Sequence, residues 1–193
     1  MDLKDWRFCS QEDGTISLHD CVMDHVEWEK DGLWLIFGDG FNVTKNNSLN
    51  PTGRHRLTGK AAVFLKSGSY LEGAWNRNCT WQASAHSEPI PLQEIPIQRE
   101  QFAEWSPEVL DFAWEPEKRR LSITAIDGVG YCEINFSCEE LWFCWNELPK
   151  DAWFQDWPKE VRKRQQKQVP YVQNRISWPL GDHSRGSCHD LWP

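Results

Sequence analysis

Apolar residues recur at every second position in part of this chain. Between Ile16 and Glu29, Leu18, Val22, Val26 and Trp28 share one parity, while His19, Cys21, Met23, His25 and Glu27 share the other. A period of two is the signature of a strand with one buried face. Asp20 and Asp24 fall on the apolar parity and predict a bend or bulge inside that strand. Glu29-Lys30-Asp31-Gly32 predicts a tight hairpin turn. Leu33 to Phe37 reads as a central strand, Gly38-Asp39-Gly40 as a second turn, and Phe41 to Thr44 as a third strand. Lys45 to Gly59 is a polar loop, long for a compact domain. Ala61 to Leu65 and Tyr70 to Trp75 flank Lys66-Ser67-Gly68-Ser69, which reads as another hairpin. Pro89, Pro91 and Pro96 space an extended edge or crossover, and Gln98 to Glu104 a short helix or turn.

The pattern then returns. Trp28-Glu29, a polar turn, and Leu33 to Asp39-Gly40 match Trp114-Glu115, a polar turn, and Leu121 to Asp127-Gly128. Asp-Gly between apolar strands is explained by turn geometry alone. The repeat therefore reads as a structural unit made twice, and not as a catalytic motif. Cys138 to Leu148 fits either period, and its aromatic content favours a strand. Asp156, Pro158 and Glu160 mark a helix start, followed by a basic stretch with almost no apolar face.

The predicted fold is mainly β: two meander-like antiparallel halves forming a sandwich or distorted barrel, with a short C-terminal helix and extended tail. One domain is expected over residues 1–152, with the repeat at about 16–75 and 109–148. Residues 153–193 are expected to dock on that domain or on a partner subunit.

Composition narrows the function. The chain has 193 residues, 13 of them Trp, which supply core area despite a mean hydropathy of −0.68. Its net charge of −8 argues against general binding to nucleic acid or anionic lipid. No apolar run is long enough to span a membrane. The start lacks the regions of a signal peptide, so a cytoplasmic location is expected. The seven cysteines are odd in number and form no CxxC pair, which favours free thiols.

Candidate chemistry is sparse. His19, Cys21 and His25 share one strand face and are the sharpest metal candidates, although their span along a strand is too long for one ion unless the chain bends. Glu133, Glu139, Glu140 and Glu147, with Trp142 and Trp145, offer carboxylates and platforms for a sugar. Trp28, Trp34, Trp75, Trp114 and Trp145 lie inside apolar patterns and read more simply as core. Gly53 to Lys60 has the wrong spacing for a phosphate loop and reads as a basic, exposed loop. The cluster at Lys159, Arg162, Lys163, Arg164 and Lys167 suits a contact with an acidic surface, in this chain or in a second copy.

The expected function is that of a non-catalytic interaction protein with no cofactor, sequestering a basic protein partner. Trp142, Trp178, Arg162 and Arg164 are the expected partner contacts, with a homo-oligomer contact through the C-terminal tail. In composition alone the chain resembles bacterial immunity proteins, which neutralise toxins; no motif carries that likeness. The alternative is a small-molecule, carbohydrate or metal-binding protein or hydrolase with a Trp- and His-lined pocket.

Overall fold

The computed structural model describes residues 1–77, 93–128 and 130–157. Its strands, in chain order, are β1 (Phe8–Ser10), β2 (Ile16–Ser17), β3 (Cys21–Val22), β4 (His25–Glu29), β5 (Gly32–Phe37), β6 (Asn42–Val43), β7 (Arg56–Leu57) and β8 (Ala61–Lys66). They continue with β9 (Ser69–Arg77), β10 (Gln93–Pro96), β11 (Glu108–Glu115), β12 (Arg120–Ile126), β13 (Tyr131–Ser137), β14 (Glu140–Trp145) and β15 (Lys150–Asp151). Three 3-10 turns, Leu3–Asp5, Asp13–Thr15 and Arg99–Ala103, are the only helical elements among the described residues.

The protein is mainly β, and every strand pair is antiparallel. A five-stranded sheet runs β1-β14-β8-β5-β4 and a six-stranded sheet β10-β9-β13-β12-β11-β3. A small sheet, β15-β7-β6-β2, adjoins them. Each order is open, so there is no closed barrel among the described residues. One core joins the two large sheets. Leu33, Leu35, Val63, Leu65 and Phe143 come from one, and Leu121, Ile123, Ile134 and Phe136 from the other.

The two repeated stretches occupy matching places. β4-β5-β8 lie consecutively in the five-stranded sheet, and the next strand, β9, crosses to the other. Likewise β11-β12-β13 lie in the six-stranded sheet, and β14 crosses back to pair with β8. Lys66 to Ser69 is therefore no hairpin, contrary to the sequence expectation. Both neighbours of β8 are already taken, by β5 and β14, so the chain leaves the sheet at Ser67 (φ 52°). At the other crossover Glu139 N–H donates to the Lys66 carbonyl at 2.9 Å. Gly32 is required where the crossover passes, because a Cβ there would overlap the Leu65 carbonyl.

Other expectations divide. Gln93–Pro96 is an edge strand, and 138–148 holds a strand and not a helix. The single strand expected from Ile16 to Glu29 is three short ones. Asp20 adopts φ 60°, and Asp24 accepts from Gly38 N–H, so both aspartates do interrupt the run. The polar loop is pinned by Asn50, whose side-chain amide donates to the carbonyls of Thr44 (3.0 Å) and Arg54 (2.8 Å). The helix expected after Asp156 and the tail beyond it lie outside the described residues; 153–157 form turns.

The outer face of the five-stranded sheet is apolar. Trp34, Ile36, Ala62, Phe64 and Cys144 cluster there beneath Leu3 and Trp6 of the N-terminal segment. Trp34 stacks on Phe64 at 4.4 Å between ring centroids. That face is thus covered by the segment that holds Leu3 and Trp6.

Candidate binding surface

Alternation along the six-stranded sheet sends apolar side chains to the core and polar ones outward. In β13, Cys132, Ile134 and Phe136 are buried, while Glu133 is exposed. Register then builds outward rows from residues far apart in sequence. One row is Ala113, Ser122, Asn135 and Glu72; the next is Asp111, Thr124, Glu133 and Ala74; the third is Glu108, Ile126, Tyr131, Asn76 and Glu94. Residues opposed across an antiparallel pair point to the same face. With Glu115 opposite Arg120, this face carries six carboxylates on its strands.

Its positive groups are few. The Arg120 guanidinium reaches Glu72 at 3.1 Å, and its Nε donates to Asn135 Oδ1, also at 3.1 Å. Ser122 Oγ donates to the same oxygen at 2.7 Å, which fixes the amide under the arginine. Lys118, in the turn after β11, pairs with Glu115 at 2.6 Å. Glu94 and Glu133 are exposed. They border a shallow cleft of about 190 Å³, lined also by Glu72, Gly73, Ala74, Asn76 and Asn135. The small residues of β9 form its floor. A bulge at Leu71 shifts the β9 register just before Glu72, and leaves Leu71 half-exposed.

Comparison with family models, with curated proteins and with solved structures matches nothing.

The metal candidates are placed apart in role. Cys21 is buried, accepts a contact from Asn42, and its thiol is pushed up to about 12 by burial, so it stays protonated. His19 Nδ1 lies 2.7 Å from Asp20 Oδ1, and its ring packs on Trp153 at 6.4 Å. His25 Nε2 instead meets Glu27 at 3.1 Å. Among the described residues no three His, Cys, Asp or Glu side chains gather as a ligand set. His19 has a different relation to the site. It sits at the β11 edge of the acidic face, close enough to Asp111 and Glu108 for their charge to raise its pKa. The close contact with the Asp20 carboxylate is the larger cause, and burial opposes it. Asp111 is in turn pushed up, by burial.

Trp153, 44% exposed, lies on this same edge, edge-on to Trp157 at 4.7 Å. Phe154 packs against His55 at 5.3 Å. Gly53 to Lys60 is not simply exposed: His55 is buried, and Arg54 and Arg56 each reach Asp151 at 2.6 Å. Those arginines hold the Asp151 carboxyl below its ordinary range.

Trp142 lies half-buried on the outer cluster of the five-stranded sheet, its indole donating to Glu140 at 3.0 Å. Glu140 also pairs with Lys66, and Glu139 accepts from Ser67 Oγ at 3.1 Å. Trp178, Arg162 and Arg164 lie outside the described residues. Of the expected core tryptophans, Trp34, Trp75 and Trp145 are buried, and Trp28 and Trp114 pack against the core. The repeated aspartates do not converge. Asp39 is exposed, whereas Asp127 accepts from the indoles of Trp75 and Trp105.

Sequence reasoning missed Glu72, Glu94, Glu108 and Asp111 as one surface. The alternations Glu72-x-Ala74-x-Asn76 and Glu133-x-Asn135 were the available signal. Their neighbourhood depends on the pairing of β9 with β13, which local pattern does not specify.

Proposed function

We propose that this protein is a non-catalytic binding protein that engages a basic protein partner through the outer face of its six-stranded sheet. One observation carries the reading: six strand carboxylates on that face stand against Arg120 alone among the strand residues whose side chains are described, with Lys118 paired to Glu115. Charge distribution agrees. Residues 1–157 hold 14 Lys and Arg against 26 Asp and Glu, a balance of −12, more negative than the −8 of the whole chain. A surface of one sign speeds encounter with an oppositely charged partner and excludes like-charged competitors. An immunity-type role, in which the partner is a basic toxin held inactive, is the finer form of this proposal.

The test uses the whole chain as bait in a lysate of its source cells. A triple variant, Glu72→Gln, Glu94→Gln and Glu133→Gln, serves as the comparison. The expected result is a basic protein retained by the wild type, released by salt, and retained at least tenfold less by the variant. Equal retention by both would sink the reading.

A second reading rests on Trp153. An indole 44% exposed beside His19 and Trp157 is a platform on which a flat or sugar-like ligand can stack. Binding that survives the triple variant and is lost in Trp153→Ala favours it.

A further inference from the structure

The structure brings two cysteines into direct opposition at the edge of the five-stranded sheet. Cys9 of β1 pairs in register with Cys144 of β14. Opposed residues of an antiparallel pair share a face, with Cβ atoms about 4.5–5.5 Å apart. That separation lies next to the span a disulfide needs, about 3.5–4.5 Å between Cβ atoms. Both side chains belong to the same apolar cluster. Both are free thiols; Cys144 is fully buried and Cys9 is partly buried. The other described cysteines, Cys21, Cys132 and Cys138, have no cysteine opposite them in register.

We propose that Cys9 and Cys144 form a reversible disulfide that staples the N-terminal strand to the sheet, with a small-molecule disulfide such as glutathione disulfide as oxidant. The Cys9 thiolate attacks one sulfur of the oxidant, whose S–S bond breaks. One glutathione leaves as thiolate and takes up a proton. The deprotonated Cys144 sulfur then attacks Cys9 Sγ and displaces the second glutathione. Two protein thiols are oxidised, and one disulfide is reduced to two thiols. Cys9 is the entry point because it alone of the pair is accessible. Burial pushes both thiols up, so the exchange is slow at neutral pH and quickens as pH rises.

The staple has a structural consequence. β1 follows directly on Leu3 and Trp6, which cover Trp34, Ile36 and Phe64. Cys9 Sγ also approaches the Leu3 carbonyl at 3.5 Å. Fixing β1 to β14 therefore fixes the cover over an apolar sheet face.

The full chain, incubated with glutathione disulfide under native conditions, tests this. The expected product is a monomer lighter by two hydrogens, with a mapped Cys9–Cys144 link that dithiothreitol reverses. Its unfolding midpoint is expected to rise by roughly 5–10 °C over the reduced form. Cys9→Ser, at the accessible position, should remove both the link and the rise. A lasting glutathione adduct on Cys9, or links that exclude this pair, would overturn the proposal.

Discussion

The indole N–H of Trp75, on β9, donates to the carboxylate of Asp127 at 2.8 Å, across the mouth of the turn that follows β12. Trp105 donates to the same oxygen, and Gly130 N–H to the other at 3.0 Å. One turn aspartate thus ties together two strands and the segment after the Arg99–Ala103 turn. Asp39 holds the matching place in the first repeat, yet it is exposed.

This contrast sets the first expectation. Asp127→Ala leaves two indole donors without their acceptor, and such losses cost about 2–4 kcal/mol. Asp39→Ala should stay within about 0.5 kcal/mol of wild type, as surface changes do. Urea unfolding of the two variants measures both. Similar costs would mean that the Asp-Gly repeat has one shared role after all.

Trp6 tests the cover over the five-stranded sheet. Its ring lies 6.3 Å from that of Trp34. Trp6→Ala is expected to cost about 2–4 kcal/mol, the lower part of the range for core aromatics because Trp6 is only half-buried. The variant should also bind a dye that reports exposed apolar surface. An unchanged unfolding midpoint would show that the N-terminal segment does not seal that face.

His19 predicts a pH dependence of fixed sign. Its folded pKa is raised, first by its close contact with the Asp20 carboxylate. The stabilisation is therefore complete below the unfolded value of about 6.5, and is lost as pH rises through the higher folded value. The side chain is 37% exposed, so solvent screening holds the effect below about 1 kcal/mol. Unfolding midpoints measured from pH 6 to 8 should fall in the wild type and fall less in His19→Gln. Equal slopes would contradict the pairing.

Much of the fold was legible because it is local. Short continuous apolar runs located β5 and β8, alternation marked β12 and β13, and Asp31-Gly32 located the β4–β5 hairpin. What local pattern omits is which strand pairs with which. Lys66 to Ser69 looks like a hairpin because its flanks are strands, but β14, some 75 residues on, is the strand that takes the place beside β8. The same limit hid the acidic face. Glu72 and Glu133 are ordinary outward residues of separate strands until β9 pairs with β13. The metal candidates lie on separate elements: His19 precedes β3, Cys21 is on β3 of the six-stranded sheet, and His25 is on β4 of the five-stranded sheet.

The central claim is that the outer face of the six-stranded sheet is the working surface. Hydrogen–deuterium exchange of the full chain, with and without the captured basic partner, tests it most directly. Slowed exchange is expected at 72–76 and 131–135, strongest at low salt. Slowed exchange confined to 151–157, with β9 and β13 unchanged, would contradict the account.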